Sequence, residues 1–239
     1  MFEKQWLLNF TQCYSNGRIA YHALSNILQV TAGEHAEQIG FGYRDMAKAG
    51  QSWVLSRMVI ETERLPRHTE TITVRTWIQY FTGSRTLRNF EILLNNKVIV
   101  RASSVWVVFN LLTRRADLLA LNTDHMVYFP ERSATRNEPK KIERNLPFAS
   151  LEDYQIRLSD LDIAHHANNV KYMEWCFNAM PAEEVLQTRA KRIEMNFLRE
   201  LHLGDQVKIG LHQDRQSEQT YCVQKQEQVH YLMQIDWAE

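Results

Sequence analysis

Apolar residues change their spacing once within the first part of the chain. From Ile19 to Ala36 they recur at close to helical intervals, and Gly33 is a plausible end for the helix that they predict. From Trp53 onward, β-branched and aromatic residues gather in four runs: WVLSRMVIETER, TITVRTWIQY, LRNFEILL and VIVRASSVWVVF. Turn residues separate the runs at Pro66, Gly83 and Asn95–Asn96. The pattern predicts one buried helix followed by antiparallel strands.

The second part of the chain repeats this order. A helical pattern covers Asn168 to Met180, and four strand-like runs follow it: KRIEMNFLRE, QVKIGLHQ, QTYCVQKQ and HYLMQIDW. Similar residues between Ser15 and Ala23 recur 144 residues later, and similar residues between Arg57 and Val74 recur 135 residues later. The repetition predicts a duplicated α+β unit in which each antiparallel sheet curls around its own helix.

A polar segment separates the two copies. It runs from Glu131 to Asn145, contains Pro139, and shows neither helical nor strand periodicity. We therefore predict an amino-terminal domain over 1–130, a linker over 131–146 and a carboxyl-terminal domain over 147–239.

Composition narrows the class of protein. Of 239 residues, 44% are hydrophobic and 23% are charged, as in ordinary globular proteins. No apolar run approaches the roughly 20 residues that cross a bilayer, and the amino terminus lacks the cleavage site of a secretory signal. Three scattered cysteines give neither a disulfide framework nor the spacing of a zinc site. We expect a cytoplasmic protein with no membrane span, no metal and no cofactor.

Charge is divided unevenly, although the formal net charge is zero. Residues 1–145 hold 19 Lys and Arg against 13 Asp and Glu, whereas residues 146–239 hold 9 against 15. A basic half attracts an acidic macromolecule or an anionic ligand, but two docked domains of opposite charge give the same numbers. Both interpretations stay open.

The densest group of polar side chains lies just before the second helix, from Asp160 to Tyr172. A helix start offers unpaired N–H groups and a partial positive charge that can stabilise an oxyanion. A histidine beside a carboxylate can transfer protons. These groups suit acyl hydrolysis. The simpler interpretation is that Asn168 or Asp162 caps the helix, while one histidine packs and the other faces water.

Three strings resemble the acyl-acyl carrier protein (ACP) thioesterases of plants and bacteria: LDIAHHANNVKYMEW, RASSVWVVFNLLTRR and WVLSRMVIETERLP. The resemblance spans most of the chain. It implies a double hotdog fold, in which the amino-terminal copy binds the acyl chain and the carboxyl-terminal copy is catalytic. The catalytic motif of the family, Asp-x-Asn-x-His followed by Arg-Glu-Cys, implies catalytic roles for Asp162, His166 and Glu200. Asp162 would orient His166 or hold charge.

Two positions depart from the family motif. Ala164 stands where the family usually has Asn, and Leu201 stands where it often has Cys. The missing thiol favours a route in which Glu200 and His166 activate water. The missing amide has to be replaced by another group, unless activity is low. The candidates are His165, Asn168 and a backbone group.

The first copy lacks the catalytic groups of the second. At offsets of 144 and 135 residues, Arg18 corresponds to Asp162 and Leu65 corresponds to Glu200. We therefore expect the first copy to form the wall of an acyl pocket, with His22 as a packed histidine.

Further residues are candidates for binding the substrate: Asn168, Asn169, His165, Trp53, Met58, Arg114 and Arg115. Arg85 and Arg88, like the last two, are expected to be exposed. An exposed guanidinium could meet an acidic carrier protein and the phosphate of its phosphopantetheine. The chain has no phosphate-binding glycine loop, zinc motif or nucleic-acid module.

The expected function is hydrolysis of fatty acyl-ACP thioesters, which releases free fatty acid and ends chain elongation. The nearest alternative is an acyl-CoA thioesterase. A non-catalytic acyl-binding protein and a hotdog hydratase are the others. We expect a monomer or a homodimer, with ACP rather than nucleic acid as its partner.

Overall fold

The chain folds into helices that pack on one large antiparallel sheet. The computed structural model describes residues 1–215 and 218–238, apart from the side chains of 214 and 215. The helices are α1 (Tyr21–Gln38), α2 (Tyr43–Lys48), α3 (Asn169–Asn178) and α4 (Ala182–Gln187). The first strands are β1 (Phe2–Leu7), β2 (Gln51–Thr62), β3 (Thr71–Thr82), β4 (Arg85–Leu94), β5 (Lys97–Asn110) and β6 (Arg115–Ala116). The later strands are β7 (Ala149–Gln155), β8 (Ala190–Phe197), β9 (Gln206–Arg215), β10 (Glu218–Lys225) and β11 (Gln228–Trp237).

The strands follow the order β1-β3-β4-β5-β2-β8-β11-β10-β9-β7, with β6 paired to β5. The eight predicted strand runs are confirmed as β2 to β5 and β8 to β11. The sequence pattern misses the two-residue strand β6 and the longer strands β1 and β7. Both lie at the outer edges of the sheet, and β7 is exposed along most of its length, so neither carries the continuous apolar signal of a central strand.

The first helix extends farther than its sequence pattern predicts. It continues through Gly33 and ends just before Gly40, whose φ of 76° is in the left-handed region. The prediction that this helix ends at Gly33 is therefore wrong. A glycine inside a helix costs about 1 kcal/mol, and the burial of α1 on the sheet outweighs that cost. Within the described residues, neither α1 nor any other helix is long and apolar enough to cross a membrane.

The two halves share one order of elements and one order of pairing. β1, α1, α2 and β2 to β5 correspond to β7, α3, α4 and β8 to β11. In each half the strands are arranged from the outer edge inward as first, third, fourth, fifth and second. The predicted α+β duplication is confirmed at the level of topology.

The spacing between the copies differs from the prediction near the helix starts. The bridge between Cys13 and Ile19 recurs between Leu161 and Ala167. The helices begin at Tyr21 and Asn169, so the offset there is 148 residues. The predicted offset of 144 residues is therefore wrong.

The corrected offset changes which residues of the first copy match the candidate catalytic residues. Tyr14, rather than Arg18, takes the place of Asp162, and Arg18 takes the place of His166. His22 packs with its ring centroid 6.5 Å from that of Tyr14, and burial lowers the pKa of its imidazole. The prediction that His22 is a packed histidine is confirmed.

One core spans both halves. β2 pairs with β8 in a register that runs from Arg57 opposite Asn196 to Glu61 opposite Arg192. α1 and α3 lie side by side on the sheet, and the ring of Tyr21 stacks on that of Phe177 with centroids 4.6 Å apart. Both helices therefore contribute side chains to a single cluster of buried apolar residues.

The segment 131–146 is attached to both halves. The amide of Ala134 donates to Asn89 Oδ1 at 2.9 Å, and the amide of Ile142 donates to Asn196 Oδ1 at 2.9 Å. Asn89 and Asn196 are buried on β4 and β8. The boundaries at 130, 131–146 and 147 stay predictions.

The hydroxyl of Tyr21 supports a testable prediction about the contact between the halves. It accepts a hydrogen bond from the buried amide of Ala190 at 2.7 Å. Tyr21→Phe leaves that amide without a partner, so we expect the free energy of unfolding to fall by about 1 to 3 kcal/mol. Urea denaturation measures the change. Tyr43→Phe, at an exposed position, is the control, and equal losses in the two variants would contradict the assignment.

Candidate active site

The loop before α3 is organised by Asp162. Its Oδ1 accepts a hydrogen bond from the amide of Ala164 at 2.8 Å, and its own amide donates to His166 O at 2.9 Å. His165 lies between them with a φ of 63°. Asp side chains favour such turns because they bond to the backbone two residues on. No hydrogen bond joins the Asp162 carboxylate to the His166 ring in the described residues, so Asp162 is linked to His166 through the backbone of the turn.

His166 and Glu200 come together beside this loop. His166 Nε2 lies 3.4 Å from Glu200 Oε2, and the two side chains are 24% and 31% exposed. Glu200 follows the end of β8, where the amides of Leu198 and Arg199 donate to His230 O at 2.9 and 3.2 Å. His230 Nδ1 donates in turn to Glu200 O at 3.1 Å, and burial lowers the pKa of that imidazole. These backbone contacts hold an imidazole and a carboxylate in reach of solvent and of each other.

A guanidinium from the other half reaches the same carboxylate. Arg114 Nη2 pairs with Glu200 Oε2, the oxygen that also faces His166. Arg114 lies in the turn after β5 with a φ of 55°, and its guanidinium lies over the ring of Phe109 at 5.0 Å. Arg115, the next residue, is exposed and lies outside the cleft described below. Of the two arginines, only Arg114 contacts the candidate catalytic groups.

The two asparagines at the start of α3 have different partners. Asn168 caps the helix, because its Oδ1 accepts from the amide of Val170 at 3.1 Å. Asn169 Nδ2 donates to Gln29 Oε1 on α1 at 3.2 Å. The backbone N–H of Asn169 donates to no acceptor within the described residues. It is therefore the N–H group of this helix start that is open to an oxyanion.

Sequence reasoning misses His202. Its ring meets that of His166 edge to face, with centroids 5.0 Å apart and planes at 84°. His166, Glu200 and His202 each bring one ligand atom within 4.8 Å of the other two, so they could hold a divalent cation. The signal is the Glu-x-His spacing after β8, and it becomes meaningful only when the fold brings His166 beside it.

These groups lie on one side of a cleft of about 1120 Å³. The cleft extends past α1 into the amino-terminal half. His165 and Asn169 line it, and so does Trp53, whose Nε1 donates to Phe41 O at 3.0 Å. Asn168 does not line it, which agrees with a capping role.

Met58 does not contact the cleft. It is 0% exposed and lies in the core beneath α1, where Ser25 Oγ is 4.0 Å from its sulfur. The expectation that Met58 binds substrate is therefore corrected. The residue faces the interior because α1 covers this part of β2.

The prediction that Arg88 is exposed is also corrected. It is only 6% exposed and lines the cleft, whereas its sequence pattern predicts an exposed strand residue. β4 lies inside the sheet between β3 and β5, so a side chain on its inner face is covered. Arg85, at the start of the same strand, is exposed as expected.

Comparison with known proteins identifies the family. Residues 1–122 match the model of the acyl-ACP thioesterase N-terminal domain, and residues 145–239 match that of the C-terminal domain. The chain belongs to the acyl-ACP thioesterase family. An oleoyl-ACP thioesterase of Coriandrum sativum is 29% identical over 218 residues, which are 82% of this chain and 59% of that protein. One from Arabidopsis thaliana is 27% identical over 226 residues, or 86% of this chain and 62% of that protein. The chain thus spans about three fifths of the length of these two relatives.

Solved structures of acyl-ACP thioesterases share the whole fold. One from Bacteroides thetaiotaomicron superimposes with a TM-score of 0.92 at 27% identity and covers 99% of this chain and 97% of its own. The 12:0-ACP thioesterase of Umbellularia californica gives a TM-score of 0.88 at 20% identity, with 99% and 96% covered. The predicted family resemblance and the α+β double hotdog are therefore confirmed.

The two asparagines at the start of α3 provide a matched test. Asn168→Ala removes the cap of α3 and is expected to lower the free energy of unfolding by about 1 kcal/mol. Asn169→Ala removes only a partly exposed side-chain bond, so its loss should be smaller. Chemical denaturation compares the two variants. A larger loss for Asn169→Ala would show that the capping assignment is wrong.

Proposed function

We propose that this family member hydrolyses fatty acyl-ACP thioesters, releasing free fatty acid and ending chain elongation. The observation that carries the proposal is the His166–Glu200 pair at the mouth of a cleft that continues into the other half. A relative from Coriandrum sativum is named an oleoyl-ACP thioesterase, which supports the same chemistry. A long acyl chain would occupy the length of such a cleft, and the thioester bond would lie at its mouth beside the His166–Glu200 pair.

The proposed base is the pair of His166 and Glu200. A water molecule between them and the thioester carbonyl would lose its proton to the pair as its oxygen attacks the carbonyl carbon. The C–S bond then breaks, and the thiol of the carrier leaves with a proton. Asp162 acts as a positioning residue through the turn that it organises, because its carboxylate bonds to Ala164 N.

The proposed oxyanion donor is the backbone N–H of Asn169. It replaces the amide that Ala164 cannot supply. Asn168 is an unsuitable substitute, since its side chain caps α3 and lies outside the cleft. His165 lines the cleft but is exposed at the tip of the loop. Leu201 supplies no thiol, so water is the proposed nucleophile. Attack by water needs an oxyanion donor but no nucleophilic side chain, and a backbone N–H meets that need.

The proposed carrier is ACP, with its phosphopantetheine entering beside Arg114. The excess of basic residues in 1–145 favours an acidic partner. Arg114 lines the cleft and Arg115 is exposed beside it in sequence, so both guanidinium groups are available to the phosphate and the acidic surface of a carrier. The cytoplasmic location and the choice between monomer and homodimer stay predictions.

Removal of Glu200 tests the chemistry. Glu200→Ala should lower the turnover of acyl-ACP by about 10² to 10⁴, the usual contribution of a general base, while the protein stays folded. Glu63→Ala is the matched control, because Glu63 is an exposed carboxylate paired with Arg101. Thiol release measured with a thiol reagent gives the rates. An unchanged rate for Glu200→Ala would remove this residue from the mechanism.

Charge reversal tests the carrier. Arg114→Glu and Arg115→Glu should each lower kcat/KM for acyl-ACP severalfold, and added salt should lower the rate of the unmodified protein. Only Arg114→Glu should also change the hydrolysis of a small acyl thioester, since Arg114 contacts Glu200. Turnover of acyl-CoA that is faster, independent of salt and unaffected by either variant would favour an acyl-CoA thioesterase. Absence of thiol release from every thioester would favour a non-catalytic acyl-binding protein.

A further inference from the structure

The acyl cleft contains a buried positive charge without a carboxylate partner. Arg88 is 6% exposed. Its Nη1 bonds to two neutral groups, His35 Nδ1 at 2.8 Å and Thr76 Oγ1 at 3.3 Å. No ion pair joins it to an Asp or Glu in the described part of the chain. Burial lowers the pKa of Arg88 to about 10, so the side chain is still a cation at neutral pH.

The neighbour of Arg88 does not neutralise it. His35 accepts its hydrogen bond and stacks on the ring of Phe2 at 5.5 Å. Burial, together with the Arg88 charge, lowers the pKa of His35 to about 4. The imidazole is therefore uncharged near neutral pH. A buried guanidinium in such surroundings is unfavourable unless a further group pairs with it.

The unused N–H groups of Arg88 are not fully buried, and the residue lines the cleft. Nε and Nη2 make no hydrogen bond within the described residues. Both atoms keep some solvent-accessible surface. Arg88 lines the cleft together with Thr86, Ile78 and Trp106. The side chain thus presents part of its donor fork to the space that an acyl chain would occupy.

Arg88 lies far from the reacting bond. β5 and β2 separate β4 from β8, the strand that leads to Glu200. Three spacings between neighbouring strands amount to about 14 Å. A group on the ligand that reaches Arg88 therefore belongs to the distal part of the acyl chain and not to the thioester.

We propose that Arg88 binds a carboxylate at the distal end of the acyl chain, so that thioesters of dicarboxylic acids are the preferred substrates. The inference rests on the proposed thioesterase function. A carboxylate supplies two acceptor oxygens to the guanidinium fork and also neutralises its charge. A methyl end at the same place would leave the charge buried and unpaired.

A matched pair of substrates tests the proposal. Two acyl-ACPs of equal chain length, one ending in a carboxylate and one in a methyl group, are compared by kcat/KM. The unmodified protein should favour the carboxylate by about tenfold to a hundredfold, the effect of a charge-assisted hydrogen bond. Arg88→Met should abolish or reverse that preference, because the replacement is apolar. Arg85→Met, at the exposed position of the same strand, should leave it unchanged.

Stability and binding measurements keep the outcomes distinct. Arg88→Met removes an unpaired buried charge, so its melting temperature should not fall. Arg88→Lys serves as a second variant that retains the charge but lacks the fork.

Equal or better turnover of the methyl-ended chain, with the same ratio in Arg88→Met, would overturn the inference and leave the proposed function intact. If neither substrate is hydrolysed, the proposed function fails. Binding of the two corresponding pantetheine amides, which resist hydrolysis, then decides the role of Arg88.

Discussion

The antiparallel pairing of β2 with β8 is the constraint on which the rest of the structure depends. It joins the innermost strands of the two copies into a single sheet. Because corresponding strands meet, α1 and α3 lie side by side on the same sheet, with Tyr21 stacked on Phe177. The end of β8 then lies beside the cleft of the first copy. Neither half could form the site alone, since His166 and Glu200 come from one half and most of the cleft from the other.

The same arrangement creates a second cleft that lacks the candidate catalytic groups. Tyr14, Arg18 and Leu65 take the places of Asp162, His166 and Glu200. This cleft is smaller, at about 460 Å³, and its lining includes Arg18, Arg64, Arg67 and Arg189. An imidazole and a carboxylate are replaced by an arginine and a leucine, so the proton-transfer pair is missing there. The two copies therefore share one topology, but only one end carries the candidate catalytic pair, and the other end is rich in arginine.

Much of this fold can be predicted from the sequence because its central strands and helices carry strong apolar periodicity. The eight central strands and the duplication follow from that pattern. The edge strands β1 and β7 do not, since one or both faces of an edge strand meet water. The copy offset near the helix starts is also missed. Similar residue types between Ser15 and Ala23 suggest 144 residues, whereas backbone bridges fix 148.

The candidate site is predictable only where its residues are close in sequence or belong to a known motif. Asp162, His166 and Glu200 follow from the motif, and the cap at Asn168 follows from its place before a helix. The place of His202 beside His166 and the contact of Arg114 with Glu200 arise only through the tertiary fold, which no local pattern encodes. Arg88 is missed for another reason. Residue type alone favours exposure of an arginine, and only the position of β4 inside the sheet shows that this one is buried.

The contact of Arg114 with Glu200 links the association of the two halves to the chemistry. Glu200 Oε2 faces both a guanidinium from the amino-terminal half and an imidazole from its own half. Arg114 is 49% exposed, so water screens the pair and its direct contribution to stability is small. Its larger effect is on geometry, because it limits where the carboxylate can lie relative to His166. The position of the candidate catalytic carboxylate therefore depends on contacts from both halves of the chain.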